Sequence, residues 1–258
     1  MMPVLELVEV CKKFSGVVAL DGLDMTVADG EMRGLVGTNG AGKTTILNII
    51  GGQVVADSGT VRIAERNVGR LSPWQRAGLG LGRTFQESRL WPELTAAEHF
   101  GLAIAASLPM SGRAARDHAV DEICSRVELP TAVLQLTPSQ MRLLDRRRVE
   151  LGMATVNASN LLLIDEIGAG LDIEEARTLY RLVARLIDCR NVRAAILVEH
   201  KLELLAAFAT RISLVENGKA SQHADCKDNA QLAHLIGGMF DRRGGVAAGA
   251  LHQRESLQ

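Results

Sequence analysis

Apolar and acidic or polar side chains alternate through Leu5–Val10, and Leu23–Val27 repeats the same period of two; both predict antiparallel strands with one buried face. Asp29-Gly30 marks a turn, after which Met32–Val36 reads as a short apolar strand leading into a glycine-rich loop. Lys43–Ile50 predicts a helix with Ile46, Leu47, Ile49 and Ile50 turned inward, and Thr60–Ile63 another strand. Between Glu87 and Glu150 the period changes. Apolar residues recur at helical spacing through Ala96–Ala106, Ala114–Val127 and Ser139–Ala154, with Pro92, Pro109, Pro130 and Pro138 near the breaks. Strand character resumes with the almost wholly apolar run Leu161–Asp165, typical of a strand buried on both faces. Helix Ile173–Cys189, strand Ala194–Val198, helix Leu202–Phe208 and strand Ile212–Val215 follow.

This order predicts an α/β fold with a mostly parallel sheet, right-handed crossovers, an antiparallel N-terminal β subdomain and an inserted helical subdomain. The expected division is 1–86 for the first part of the core, 87–150 for the helical subdomain and 151–241 for the rest of the core. Residues 242–258, rich in Gly and Ala, are expected to form a flexible tail.

Composition narrows the field. The 258 residues are 47% hydrophobic, enough for a packed core. With 30 acidic and 29 basic residues and only 3% aromatics, the chain lacks both the field and the stacking surface that a nucleic-acid partner needs. Cys11, Cys124, Cys189 and Cys226 are too scattered for a metal cluster and read as free thiols in a reducing compartment. The first ten residues carry Glu6 and Glu9 without a basic stretch and do not read as a secretory signal. No segment approaches the about 20 apolar residues of a membrane span, so any transport role needs another chain to form the pore.

Gly37-Thr38-Asn39-Gly40-Ala41-Gly42-Lys43-Thr44 matches the P-loop pattern at every fixed position, between a predicted strand and a predicted helix. Glycines let the loop curl so that successive N–H groups face phosphate oxygens beside the positive end of the helix. Lys43 can reach the β- and γ-phosphates of ATP, the Thr44 hydroxyl can ligate Mg²⁺, and Thr45 adds a hydrogen bond to the α-phosphate. Asp165 and Glu166 end a buried strand, where ligands collect in a parallel sheet. Asp165 is expected to hold Mg²⁺ and Glu166 to orient or deprotonate the attacking water.

With these motifs in this order, the segment Leu5–Lys219 resembles the nucleotide-binding subunits of ABC transporters, a P-loop ATPase fold. The resemblance implies that the Phe14 ring stacks on adenine, that Gln86 in Arg83-Thr84-Phe85-Gln86 senses Mg²⁺ and the γ-phosphate, and that His200 in Val198-Glu199-His200 contacts that phosphate. Gly170-Leu171-Asp172 is similar to the loop that lies across the interface between two such subunits. Gly80–Gln86, Arg89-Leu90-Trp91-Pro92 and Glu199-His200-Lys201 resemble the branched-chain amino-acid uptake branch. The implied protein is an ATP hydrolase, peripheral on the cytoplasmic face of the membrane. Its implied partners are transmembrane permease subunits, a second ATPase subunit and, indirectly, an extracytoplasmic binding protein. The alternative reading is a weakly hydrolysing, nucleotide-gated structural subunit. A soluble ABC ATPase of repair or translation lacks support, because neither a coiled-coil insertion nor tandem domains are present.

The family's Leu-Ser-x-Gly-Gln signature is degraded. Leu136-Thr137-Pro138-Ser139-Gln140 has the right residue types, but Pro138 lacks an N–H and Ser139 replaces a glycine. Family spacing instead favours Met141-Arg142-Leu143-Leu144-Asp145, which has neither serine nor glycine. The expectation is a heterodimer, in which this P-loop works with a partner's intact signature. Among remaining features, Arg146-Arg147-Arg148 reads as a solvated helix face and Trp74 and Trp91 as packed side chains, with a groove that receives the permease as the alternative place for Trp91; no role falls to His99.

Overall fold

The computed structural model describes residues 2–107, 113–228, 230–233 and 235. Two sheets and a helical lobe make up the molecule. The first sheet is antiparallel, with strands β1 (Leu5–Phe14), β2 (Val17–Val27), β4 (Ser58–Ile63) and β5 (Arg66–Asn67) in the order β2-β1-β4-β5. The second holds β3 (Met32–Val36), β6 (Leu81–Arg83), β7 (Leu161–Asp165), β8 (Ala194–Val198), β9 (Arg211–Glu216) and β10 (Lys219–Asp225) in the order β10-β9-β3-β8-β7-β6. Its five strands from β9 to β6 run parallel, and β10 pairs antiparallel to β9.

Helix α1 (Lys43–Gly51) follows β3, with Ile46, Leu47, Ile49 and Ile50 all buried as their spacing predicts. It packs with the antiparallel sheet and one face of the parallel sheet in one apolar cluster. Helices α3 (Ala96–Ser107), α4 (Arg113–Val127) and α5 (Leu143–Thr155) form the lobe, sharing a second cluster with α6 (Ile173–Asp188) and α7 (Leu202–Phe208) on the opposite face. The every-residue burial of β3, β7 and β8 follows from being covered on both faces.

Several elements differ from the sequence pattern. The β1–β2 hairpin runs to Phe14 and Val17, because bulges between Leu7 and Val10 and around Lys12 break the alternation without ending the pairing. Helix α5 starts at Leu143, and Pro138–Gln140 is a separate 3₁₀ turn closed by reciprocal Thr137–Gln140 hydrogen bonds. Strands β5, β6 and β10 and the short helix α2 (Pro73–Ala77) carry no clear periodicity. The expected tail at 242–258 lies outside the described residues.

One buried cation ties α2 to α1. Arg76 is 1% exposed and donates to the Ile49 and Ile50 carbonyls at the end of α1, and to the Leu71 carbonyl at 2.9 Å. Burial lowers its guanidinium to about 10, still charged at neutral pH, so it serves as a cationic cap on the negative end of the helix.

Candidate functional site

The loop Gly37–Gly42 leaves the C-terminal end of β3 and enters α1 through Gly42, whose φ of 109° is open to glycine and strained for any side chain. A Cβ there would also sit 2.8 Å from the Ala19 carbonyl oxygen. Gly40 has φ 80°, with open space around it. Lys43 is buried, and its Nζ donates to the Gly37 and Thr38 carbonyls at 2.8 and 3.0 Å, closing the loop over its own ammonium.

A polar cleft of about 350 Å³ opens here. Asn39, Gly40, Gly42, Lys43, Thr44, Thr45, Gln86, Glu166 and His200 all line it, although they come from four separate stretches of chain. Glu166 is the centre of the arrangement. Its Oε1 lies 2.7 Å from His200 Nε2, and its Oε2 accepts the Gln86 Nε2–H at 3.0 Å. Its backbone holds φ at 48°, an uncommon left-handed conformation for a residue with a side chain, fixed by a 3.0 Å hydrogen bond from its N–H to the Val198 carbonyl.

Other sequence-predicted residues lie beside the cleft without lining it. Gly37 supplies a carbonyl to Lys43, and Ala41 is buried beneath the loop. Asp165 is buried at the end of β7, 3.7 Å from Arg83 Nη2, and its N–H donates to Thr84 Oγ1 at 3.3 Å. Burial pushes the Asp165 carboxyl upward, while Arg83 and Lys43 oppose the shift. Phe14 stands at the hairpin end, 45% exposed, with Lys12 Nζ 5.3 Å from its ring centroid. It is thus an exposed aromatic ring and not a core residue.

The donor set suits one kind of metal. No group of three His, Cys, Asp or Glu side chains is gathered for a metal among the described residues. A hydroxyl at Thr44, an amide oxygen at Gln86 and a carboxylate at Asp165 are hard oxygen donors. They fit Mg²⁺, which takes few protein ligands and completes its shell with phosphate and water.

Three supporting residues receive no role from the sequence, although Arg83 and Lys201 lie in segments that resemble the family. Arg83 reaches Asp165, Asn48 and Gln53 at once. Arg147, read from sequence as part of a solvated face, is 7% exposed: it pairs with Glu150 at 3.0 Å and points at the Gln86 and Ala169 carbonyls, 3.4 Å away. Arg147 alone of the basic triplet is therefore buried, because Glu150 and those carbonyls compensate its charge, while Arg148 pairs with Asp145 at 3.5 Å. Lys201 Nζ donates to the Leu171 carbonyl at 3.2 Å. The tryptophans also correct the sequence reading, being 75% exposed at Trp74 and 52% at Trp91. Trp91 lies over buried His99, whose Nε2 accepts the Trp91 backbone N–H at 2.8 Å.

Of the two signature candidates, Met141–Asp145 occupies the start of α5, with exposed Arg142 as its N-cap residue and Leu143 against the Gly170 loop. The Leu136–Gln140 segment is instead folded on itself and hydrogen-bonded through Leu136 to the start of α3. A second, more apolar cavity of about 270 Å³ lies between β6 and the helical lobe, lined by Arg83, Phe85, Glu87, Arg89, Leu90 and Met153 among others. The Phe85 ring there contacts the guanidinium groups of both Arg83 and Arg89, at 5.0 and 3.6 Å from its centroid. Trp91 is not among its lining residues.

Comparison with known proteins bears on the family and the fold. The chain is 32% identical over 223 residues to the ribose import ATP-binding protein RbsA 1 of Rubrobacter xylanophilus, covering 85% of this chain and 44% of that protein. The chain thus spans less than half the length of this relative. It is 31% identical over 229 residues to the high-affinity branched-chain amino acid transport ATP-binding protein LivG of Salmonella typhimurium, covering 84% of this chain and 89% of that one. Among solved structures, a nucleotide-free ATP-binding cassette from an ABC transporter superposes with a TM-score of 0.84 at 21% identity, over 95% of this chain and all of that one. The dimeric post-hydrolysis state of the cassette MJ0796, bound to ADP and Pi, superposes at 0.77 with 23% identity, over 87% of this chain and 99% of that one. The family model described as ABC transporter matches residues 20–169, more than half of the sequence, and the chain belongs to that family.

Proposed function

We propose that this chain binds and hydrolyses ATP to drive a membrane transporter, as a peripheral subunit on the cytoplasmic side. The observation that carries this reading is the bridging of Glu166 between Gln86 and His200 in the cleft that Lys43 and Thr44 line. A carboxylate held at both oxygens is oriented for a water, and phosphoryl transfer asks chiefly for positioning and charge neutralisation. This favours a hydrolysing subunit over a nucleotide-gated structural one.

In this reading the loop amides and Lys43 hold the phosphates, Thr45 adds a hydrogen bond, and Phe14 stacks on adenine. Thr44, Gln86 and Asp165 hold Mg²⁺, which supplies charge neutralisation on the phosphates when bound. Glu166 accepts the proton of the attacking water, while Gln86 and His200 orient its carboxylate and report on the γ-phosphate. The solute is a branched-chain amino acid or a related small polar compound, on the strength of the likeness to LivG over most of both chains; the equal likeness to ribose import proteins keeps a sugar as the second reading. Transmembrane permease subunits, receiving an extracytoplasmic binding protein, complete the transporter. The apolar cavity around Phe85 faces the permease, because it joins the exposed surface to Arg83 and so to Asp165.

Lys43→Ala tests the reading. It should weaken ATP binding by the full chain by roughly 100-fold, since a charge-assisted phosphate contact is lost, with the fold intact by circular dichroism. Unchanged ATP affinity would overturn it.

A further inference from the structure

A buried Tyr–Glu pair lies behind the cleft and takes no part in the chemistry above. Tyr180 on α6 is fully buried, and its hydroxyl donates to Glu199 Oε2 at 2.9 Å. Glu199 is 5% exposed and directly precedes His200. The Tyr180 ring stacks on Phe208 of α7, centroids 5.8 Å apart, and lies beside Gly168, two residues after Glu166. On the far side of His200, Lys201 Nζ is fastened to the Leu171 carbonyl at 3.2 Å. The turn 199–201 is thus tied on one flank to α6, through Tyr180, and on the other to the segment that leads away from Glu166.

A carboxylate this deep in an apolar cluster is unfavourable unless it is hydrogen-bonded, and a hydrophobic pair of similar volume would pack there without that demand. What the pair contributes is geometry. We propose that Tyr180 and Glu199 are positioning residues: they fix the turn 199–201 so that the His200 imidazole stays in hydrogen-bonding reach of Glu166, and they join that contact to α6. This rests on the ATPase reading given above.

Tyr180→Phe removes the hydroxyl and keeps the ring. In the assembled transporter it should lower kcat about fivefold, the scale of one lost hydrogen bond, with KM for ATP unchanged. Glu199→Gln keeps an oxygen that accepts the Tyr180 hydroxyl and should retain most of kcat, whereas Glu199→Leu should fall with Tyr180→Phe. In the full chain, hydrogen exchange at the amides of 200–202 should quicken in Tyr180→Phe while α6 stays as protected as before. Wild-type kcat with unchanged exchange at 200–202, or a rise in KM matching the fall in kcat, overturns the proposal. ATP affinity of the isolated variants, measured against Lys43→Ala, separates this failure from failure of the ATPase reading: only the latter predicts that Lys43→Ala binds normally.

Discussion

Glu166 combines a left-handed backbone with a carboxylate gripped at both oxygens, so its freedom is restricted at the main chain and the side chain together. Glu166→Gln preserves size and much of the hydrogen bonding while abolishing basicity. It should leave ATP affinity within about twofold and reduce turnover by roughly 100- to 1,000-fold, as single-turnover hydrolysis would reveal. The residues of the cleft were legible from sequence to very different degrees. Gly37–Thr45 could be read whole, because phosphate binding needs those residues at fixed spacing in one loop. Arg83, Arg147 and Tyr180 could not, since each acts through a partner far away in the chain that only the folded sheet brings near. A run of three arginines carries no mark of which one turns inward; that was decided by the carbonyls of Gln86 and Ala169.

Among the elements, the fully buried strands β3, β7 and β8 and the amphipathic α6 coincide with their sequence patterns to within a residue, because burial on two faces or one stripe leaves a periodic imprint. The hairpin β1–β2 exceeds its pattern on account of bulges, and three-residue β6 is too short to have one. Helix α1 shows a division of labour between its ends. Its start faces the cleft, while its last carbonyls receive Arg76. Arg76→Met fills similar space without donors and should lower unfolding stability by about 2 kcal/mol, the cost of stranding buried carbonyls, in urea denaturation. The ATP affinity of the native protein should not change, because the substitution lies at the opposite end of the helix from the loop.

At the scale of the whole molecule, the start of α5 presents Arg142 and Leu143 at the surface, in the segment that family spacing favours, over Leu136–Gln140, for the signature. Bulky side chains there obstruct close approach of a backbone to a phosphate held by another subunit. The purified chain should therefore bind MgATP and turn it over slowly, with activity restored by a partner ATPase carrying an intact signature. Steady-state phosphate release measured alone and with the co-expressed partner checks this, and fast, cooperative hydrolysis by the isolated chain would sink it.

Gly82 sets one of the points where the helical lobe meets the core. A side chain at this position of β6 would collide with the Ala154 carbonyl oxygen and crowd Ala158, so strand and helix α5 meet backbone to backbone. A joint this close leaves α5 no room to slide across the strand, and a side chain at position 82 would force the helix away from the sheet.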